Sequence, residues 1–298
     1  GHSLAGSGVD ALLSALSQGF WRGKANRLSA GHLDAWPIIE QVTEATRKPA
    51  TPAVARVESP SSPHLLPEGQ QSAASLIRQR RSAQAFDAGS YLSRSAFFSM
   101  LDATLPHHGQ VPFDLWPWQP RVHLMLFVHR VTSIPPGVYL FFRSSEAVGQ
   151  YLPELQGERV CQRCTDAPEH FELYLLAETG VVKTAKILSC YQSIAGDSAF
   201  SLGMLAEFDR VLAEDGAWAY RRLFWETGLI GQSLYLGAEA EGVRGTGIGC
   251  FFDGPVHEVV GIADTRLQSL YHFTVGTPVT DTRLQTLPAY AHLGQTRP

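Results

Sequence analysis

The sequence has few cysteines, few lysines and no long apolar run. Four cysteines in 298 residues are fewer than a secreted chain of this length stapled by disulfides usually carries. No apolar run approaches the ~20 residues of a membrane-spanning helix. No N-terminal stretch joins a basic patch to an apolar segment, as a signal peptide does. We therefore expect a cytoplasmic protein with no membrane partner.

The balance of charge argues against a nucleic-acid partner. The formal net charge is -4, which gives no global attraction to nucleic acid. Lysine occurs only at positions 24, 48, 183 and 186, so most cations are arginines. The planar fork of arginine suits phosphate and carboxylate groups, although a GC-rich genome would produce the same bias. We expect no nucleic-acid partner, and we attribute most of the arginine bias to the genome.

Apolar periodicity and proline content divide the chain into three parts. Residues 1–48 are predicted to form a helical extension, with helices over 9–20 and 37–45. Residues 49–69 are rich in proline and serine, which indicates an extended linker or an arm that follows the surface. Residues 70–298 are predicted to form the main domain.

The main domain mixes helical and strand patterns. Helices are predicted over residues 72–80, 93–105, 199–213 and 226–241. Strands are predicted over residues 121–129, 137–143, 171–177 and 271–276, with the first two forming a hairpin. Residues 256–262 fit either a short strand or a helical turn. Strands mixed with long helices indicate an α+β domain.

A cluster of cations follows the first predicted helix of the domain. Arg78, Arg80, Arg81 and Ser82 stand together before a turn. Guanidinium groups beside a hydroxyl match the oxygens of a phosphate, so this cluster is a candidate anion site. The alternative is a solvated basic helix end that complements the helix dipole.

A glycine-rich segment follows the last long helix. Gly245, Gly247 and Gly249 alternate with larger residues and are followed by Cys250. Glycines let the backbone approach a flat ligand closely and leave N–H groups to point at it. The alternative is an ordinary glycine-rich loop, because the strand-before, helix-after context of a dinucleotide fingerprint is missing.

The C-terminal strand ends in a third candidate motif. Residues 275–278 read VGTP, and Arg283 follows shortly after. This arginine could return a further cation to the anion site. A C-terminal tail with a surface arginine is the alternative.

Four segments in this order resemble the nitroreductase superfamily. They read RQRRS at residues 78–82, GVYLF at 137–141, ETGLIGQSLYLGAEAEGVRGTGIGCF at 226–251 and VGTP at 275–278. The resemblance covers roughly residues 70–290. It is greatest to the branch that contains the flavin azoline oxidases of ribosomal-peptide biosynthesis.

The resemblance implies a fold, a cofactor and a set of binding residues. The fold is the α+β, nitroreductase-like FMN-binding fold, whose central, mainly antiparallel sheet is flanked by helices. That family holds FMN non-covalently at a homodimer interface, so we expect a homodimer or a tandem pseudo-dimer. Carried over by position, the FMN-binding residues are Arg80, Arg81, Ser82, Gly249, Cys250 and Arg283.

The activity implied by the resemblance is hydride transfer through the N5 atom of FMN. NAD(P)H would serve as a transient reductant, or a small-molecule or peptide substrate would itself reduce FMN. Azoline oxidases carry a lysine–tyrosine pair just before the ETG helix. Here Tyr220 is present but the lysine is not, and a phenol alone is a poor base at neutral pH.

Two rival functions remain open at this stage. One is a flavin-binding but inactive scaffold or partner domain of a peptide-modifying or tandem oxidoreductase system. The other is a domain without flavin that binds an anionic ligand through its arginines. The polar segment 189–197 is also open, since Tyr191 could act on the substrate side of the flavin or the segment could simply begin a helix.

Two further motifs have competing interpretations. Cys161 and Cys164 have the spacing of half a zinc site or of a redox pair, but no second half completes a zinc site. We expect surface thiols and no metal there. Trp116 and Trp118 could cover a flavin, although tryptophans beside prolines more often pack a loop onto the core.

Overall fold

The computed structural model describes residues 6–19, 36–50, 64–65, 67, 71–156, 161–262, 264–289 and 291. The chain divides into two compact units, Gly1–Thr43 and Glu44–Pro298. Most of the predicted proline-rich linker, at 51–63, 66 and 68–69, lies outside the described residues.

The described helices and strands follow the order of an α+β protein. The helices are α1 Gly6–Ser17, α2 Pro37–Ala45, α3 Ala73–Gln79, α4 Arg94–Asp102, α5 Ser145–Gln156, α6 Val182–Leu188, α7 Ser193–Asp197, α8 Phe208–Asp215, α9 Ala219–Ala240 and α10 Asp253–Val260. The strands are β1 Val122–Val128, β2 Gly137–Phe142, β3 Gln162–Arg163, β4 Glu172–Glu178, β5 Phe200–Ala206, β6 Arg244–Ile248 and β7 Gln268–Gly276. None of these helices is long and apolar enough to cross a membrane.

The strands form one sheet in the order β3-β4-β2-β1-β5-β7-β6. Every pairing is antiparallel, and β1 and β2 form the predicted hairpin. One face of the sheet packs a core with α4 and α9, and the other face packs a core with α5, α6 and α10. The predicted α+β class and antiparallel sheet are confirmed.

The prediction of a helix over residues 199–213 was wrong. This segment forms β5 and then α8. Every residue of β5 is buried, because the strand lies between β1 and β7 with a core on each face. A strand buried on both faces has no apolar–polar alternation, so its sequence cannot be distinguished from a buried helix by periodicity. Residues 256–262, whose sequence fits either a strand or a helical turn, lie mostly in helix α10.

A buried ion pair fixes α9 to the sheet. Arg143, which follows β2, pairs with Glu226 of α9, and both side chains are almost completely buried. The Arg143 guanidinium also donates to the carbonyls of Thr104 (2.7 Å) and Val122 (2.9 Å). Glu226 in turn accepts the backbone N–H of Arg121 at 3.1 Å. The glutamate of the ETG segment is therefore an anchor between α9 and the start of β1.

Candidate functional site

The segment that carries the N-terminal arginines runs along the glycine strand β6. The N–H of Ala83 donates to the carbonyl of Gly245 at 3.2 Å, and the hydroxyl of Thr246 donates to the carbonyl of Ala83 at 2.7 Å. Strand β6 is the last strand of the sheet, so its outer edge is available for this contact. Two motifs that lie about 160 residues apart are thereby brought together.

Tyr235 of α9 joins these two motifs. Its hydroxyl lies 3.0 Å from the hydroxyl of Ser82 and accepts the N–H of Gly247 at 2.9 Å. The guanidinium of Arg80 lies over its ring, 4.4 Å from the centroid. Tyr235 lies within the segment 226–251 that resembles the family, but its local sequence indicates no role for it. The sequence could not predict the position of this tyrosine, since only the packing of α9 on β6 turns its ring toward the glycine strand.

Two of the three glycines are required by packing within the protein. A Cβ on Gly245 would lie 2.6 Å from the ring of Phe273, and one on Gly247 would lie 2.6 Å from the hydroxyl of Tyr271. A Cβ on Gly249 would meet its nearest described atom at 3.8 Å, which is ordinary contact. Among these three, only Gly249 has room beside it for a ligand.

A cleft of about 320 Å³ lies between α9 and β7. Its walls include the rings of Phe224, Tyr235, Tyr271 and Phe273 and the amide of Gln232. From Phe224 to Tyr235 the helix rises ~16 Å, so the cleft is elongated and the Arg80 cluster stands at one end. An aromatic, elongated cleft with a cation at one end suits a planar ligand that carries an anionic group.

The structure gives the other two predicted arginines different surroundings. The Arg81 guanidinium donates to the carbonyls of Arg80 (2.8 Å) and Leu287 (3.0 Å), so it joins the end of α3 to the C-terminal segment. Arg283 is highly exposed and pairs with Asp281 at 2.7 Å. Both cation-bearing segments lie close together, because Val279 donates to the carbonyl of Ala85.

Cys250 is held by a bond that the sequence did not indicate. Its sulfur is joined to Cys190 in a disulfide, and the two residues are 60 positions apart. Gln192 donates to the Cys250 carbonyl at 3.3 Å, so the polar loop after α6 is fixed beside the end of β6. Cys190 and Tyr191 have φ of 54° and 59°, a left-handed conformation that side chains rarely adopt. Only tertiary structure could pair these cysteines.

The two tyrosines predicted as catalytic candidates lie in different places. Tyr191 is 71% exposed, and its ring meets the ring of Phe252 edge-on at 6.0 Å beside the disulfide. Tyr220 lies near the start of α9 and packs against Phe208 and Phe224. Since Phe224 lines the cleft, Tyr220 stands behind one end of it.

The remaining sequence motifs are structural. Trp116 and Trp118 pack on each other at 4.8 Å and on the core, as favoured from the sequence. The expectation of surface thiols was wrong for Cys161, which is buried. Cys164 is half-buried, and burial raises the pKa of its thiol to about 11. Such a thiol is a poor nucleophile at neutral pH.

Comparison with known proteins identifies the fold. The model of the nitroreductase family matches residues 77–277, which is more than half of the chain. A protein of Anabaena variabilis assigned as a nitroreductase is 21% identical over 89% of this chain, with a TM-score of 0.59. A chain of the Escherichia coli microcin synthetase McbBCD complex, with truncated pro-MccB17 bound, is 17% identical over 85% of this chain and 85% of its own, with a TM-score of 0.50. This chain covers 53% of the Anabaena protein, about half its length. No curated protein matches the sequence.

Proposed function

The chain belongs to the nitroreductase family, and from that membership and the site geometry we propose that it is an FMN-dependent oxidoreductase. The observation that carries the proposal is the cluster of Arg80, Ser82 and Tyr235 at the end of the cleft between α9 and β7. When bound, FMN supplies hydride chemistry that no side chain of a protein can provide.

The residues present fit this cofactor. Arg80 offers a cation and Ser82 a hydroxyl at one end of an aromatic cleft, and both suit the phosphate or the ring carbonyls of a flavin. Gly249 leaves open space beside the backbone, as a close approach to a flat ring requires. Arg81 and Arg283 would contribute to the phosphate only by exchanging the carbonyl and carboxylate contacts that they now make.

The protein's own contribution would be to bind, orient and shield the reacting groups. The disulfide between Cys190 and Cys250 joins the loop of Tyr191 to the residue that follows Gly249, and we propose that the paired rings of Tyr191 and Phe252 contact the substrate. We propose a small molecule or a peptide as substrate, with NAD(P)H as a transient reductant. The lysine that azoline oxidases carry beside this tyrosine is missing, so Tyr220 would position substrate rather than act alone as a base.

We also propose that a second subunit, or a second domain of the same kind, completes the site. Phe224 and Trp225 of α9 are 38% and 47% exposed, and Phe224 lines the open cleft. Large exposed apolar side chains in one patch are typical of interaction surfaces. Light scattering would test this directly, because a homodimer has twice the chain mass of 32.6 kDa.

The experiment for flavin binding is a spectrum followed by a titration. Purified protein, soaked in excess FMN and desalted, should absorb near ~450 nm, as bound oxidised flavin does. Arg80→Met should raise the Kd for FMN at least about tenfold, because a charge-assisted contact contributes roughly 1.5–3 kcal/mol. Arg163→Met is the matched control, since Arg163 lies on β3 at the opposite edge of the sheet. A protein that stays colourless after soaking would overturn the proposal.

One observation favours a second candidate function. The chain spans about half of the Anabaena protein, so it could correspond to one half of a tandem arrangement. In that case this half would bind FMN without turning over a substrate. This alternative would be supported over the first by three results together. The bound FMN would be reduced chemically, the protein would not turn over NAD(P)H with an electron acceptor, and light scattering would give the mass of a monomer.

A further inference from the structure

Three histidines surround one buried aspartate at a place that the proposed flavin site does not use. Asp102 ends α4, and its side chain is completely buried. The Nδ1 atom of His64 lies 2.7 Å from Asp102 Oδ2, and Nε2 of His107 lies 3.1 Å from the same oxygen. The Nε2 atom of His170 lies 2.7 Å from the other oxygen, Oδ1.

Hydrogen bonds alone do not satisfy this cluster. The backbone N–H of Leu65 also donates to Asp102 Oδ2, at 2.9 Å. The Nε2 atom of His107 also lies 3.2 Å from the backbone carbonyl of Asp102, so it has two acceptors of the same residue within reach. At the same time the Nδ1 atom of His107, a residue 97% buried, has no hydrogen-bond partner among the described residues. Hydrogen bonds therefore satisfy only one side of the buried His107 imidazole.

We propose that His64, Asp102 and His107 bind a divalent transition-metal ion of the zinc class. Their donor atoms lie within 4.8 Å of one another. Imidazole nitrogen and carboxylate oxygen are ordinary zinc ligands, and bonds of ~2.0–2.1 Å place tetrahedral ligand atoms about 3.3 Å apart. The nitrogen–oxygen separations of 2.7 and 3.1 Å would open by up to about 0.6 Å, and the separation between the two nitrogens, at most 4.8 Å, would close by up to about 1.5 Å.

An ion at this position changes the balance of the cluster. Both imidazoles become ligands through their lone pairs, and Oδ2 keeps only the ion and the N–H of Leu65. His170 becomes a positioning residue, because it donates to Oδ1 and fixes the orientation of the carboxylate. Zinc requires neutral imidazole and ionised carboxylate, so binding should displace any proton that the two histidines carry.

The position of the ligands indicates what the ion would do. His64 and Leu65 lie a few residues before α3, whose C-terminal end leads into Arg80 and Ser82. Asp102 and His107 belong to the core layer around α4. The ion would therefore fasten this arm of the chain onto the domain. A cavity of about 240 Å³, lined by His64 and His107, offers room for a water as the fourth ligand.

The test is a calorimetric titration with zinc chloride on full-length protein first stripped by dialysis against a chelator. Wild-type protein should bind one zinc per chain, and the thermal midpoint should rise with zinc concentration. His64→Gln should weaken zinc binding at least tenfold. This side chain is only partly buried, so the variant should fold even if a change at His107 prevents folding. His170→Gln should weaken binding to a smaller extent.

The matched control is His108→Gln, because His108 is exposed and adjacent to the ligand His107. This variant should bind zinc as the wild type does. The proposal is wrong if folded wild-type protein takes up no zinc, or if His64→Gln and wild type bind zinc equally. The second result would mean that other histidines bind the ion adventitiously. FMN content is measured on the same samples. A loss of zinc binding can therefore be distinguished from a loss of FMN binding.

Discussion

Replacing Glu226 by glutamine should destabilise the fold far more than the loss of one surface charge. The change keeps the size of the side chain but leaves the Arg143 guanidinium as a buried charge without a counterion. It also turns an N–H group toward the backbone N–H of Arg121, which now donates to both carboxylate oxygens. Breaking a buried ion pair by removing one partner costs about 3–5 kcal/mol.

The size of this effect can be measured by urea denaturation at a fixed FMN concentration. With a denaturant slope of about 3 kcal/mol per molar, the midpoint should fall by roughly 1–1.7 M. Glu214→Gln is the control, because Glu214 is half-exposed and pairs with Arg121 and Arg210 at the surface. The control should change stability by no more than about 1 kcal/mol.

A double-mutant cycle separates the ion pair from general damage to the core. Arg143→Met should also destabilise the protein, since the carbonyls of Thr104 and Val122 lose their donors. Combined with Glu226→Gln it should cost less than the sum of the two single changes, by at least about 1 kcal/mol. If the two costs add, or if Glu226→Gln behaves like the surface control, our account of α9 anchoring is refuted.

Three further predictions concern the site and its surroundings. Gly245→Ala should lower the unfolding free energy by about 1–3 kcal/mol, because the new Cβ would meet the Phe273 ring. Gly249→Ala should change the unfolding free energy by no more than about 0.5 kcal/mol from wild type. Equal urea midpoints for the two variants would contradict this. Burial lowers the pKa of His272 to about 4, so between pH ~6.5 and 4 the unfolded chain binds more protons than the folded protein. The free energy of unfolding should therefore fall as the pH is lowered through this range, and it should fall less steeply in His272→Gln. Parallel pH profiles of the denaturation midpoint in the two proteins would count against this prediction. Cys250→Ser should lower the unfolding free energy by about 2–4 kcal/mol, because it opens a loop closed over 60 residues. A thiol reductant should lower the urea midpoint of the wild type but not that of the variant. A wild type insensitive to reductant would show that the disulfide does not stabilise the fold.

Some of the structure follows directly from local patterns in the sequence. Ser93 caps α4 through its side chain, as its position before an apolar run predicts. Helix α2 covers the residues predicted for it, with Pro37 in its first position. The hairpin of β1 and β2 also follows, because two β-prone runs flank a proline–glycine turn. In each case the signal and the structure that it predicts lie within a few residues of each other.

Other features depend on neighbours that are distant in sequence. The central strand β5 was mistaken for a helix because both of its faces are buried. The sequence left open whether the glycines of β6 make space for a ligand, and in the structure Gly245 and Gly247 make room for Phe273 and Tyr271 of the adjacent strand. In both cases a contact across the sheet decides what the residue does.

The sequence by itself determined the family, the antiparallel α+β architecture and the segments that carry cations and glycines. Apolar periodicity and the order of motifs are properties of the sequence and do not depend on tertiary contacts. Tertiary structure alone decided that Tyr235 joins Arg80, Ser82 and Gly247, and that Cys190 meets Cys250. It also decided that three histidines meet at Asp102. A side chain's partners are set by the packing of whole helices and strands, and no local pattern in the sequence records that packing.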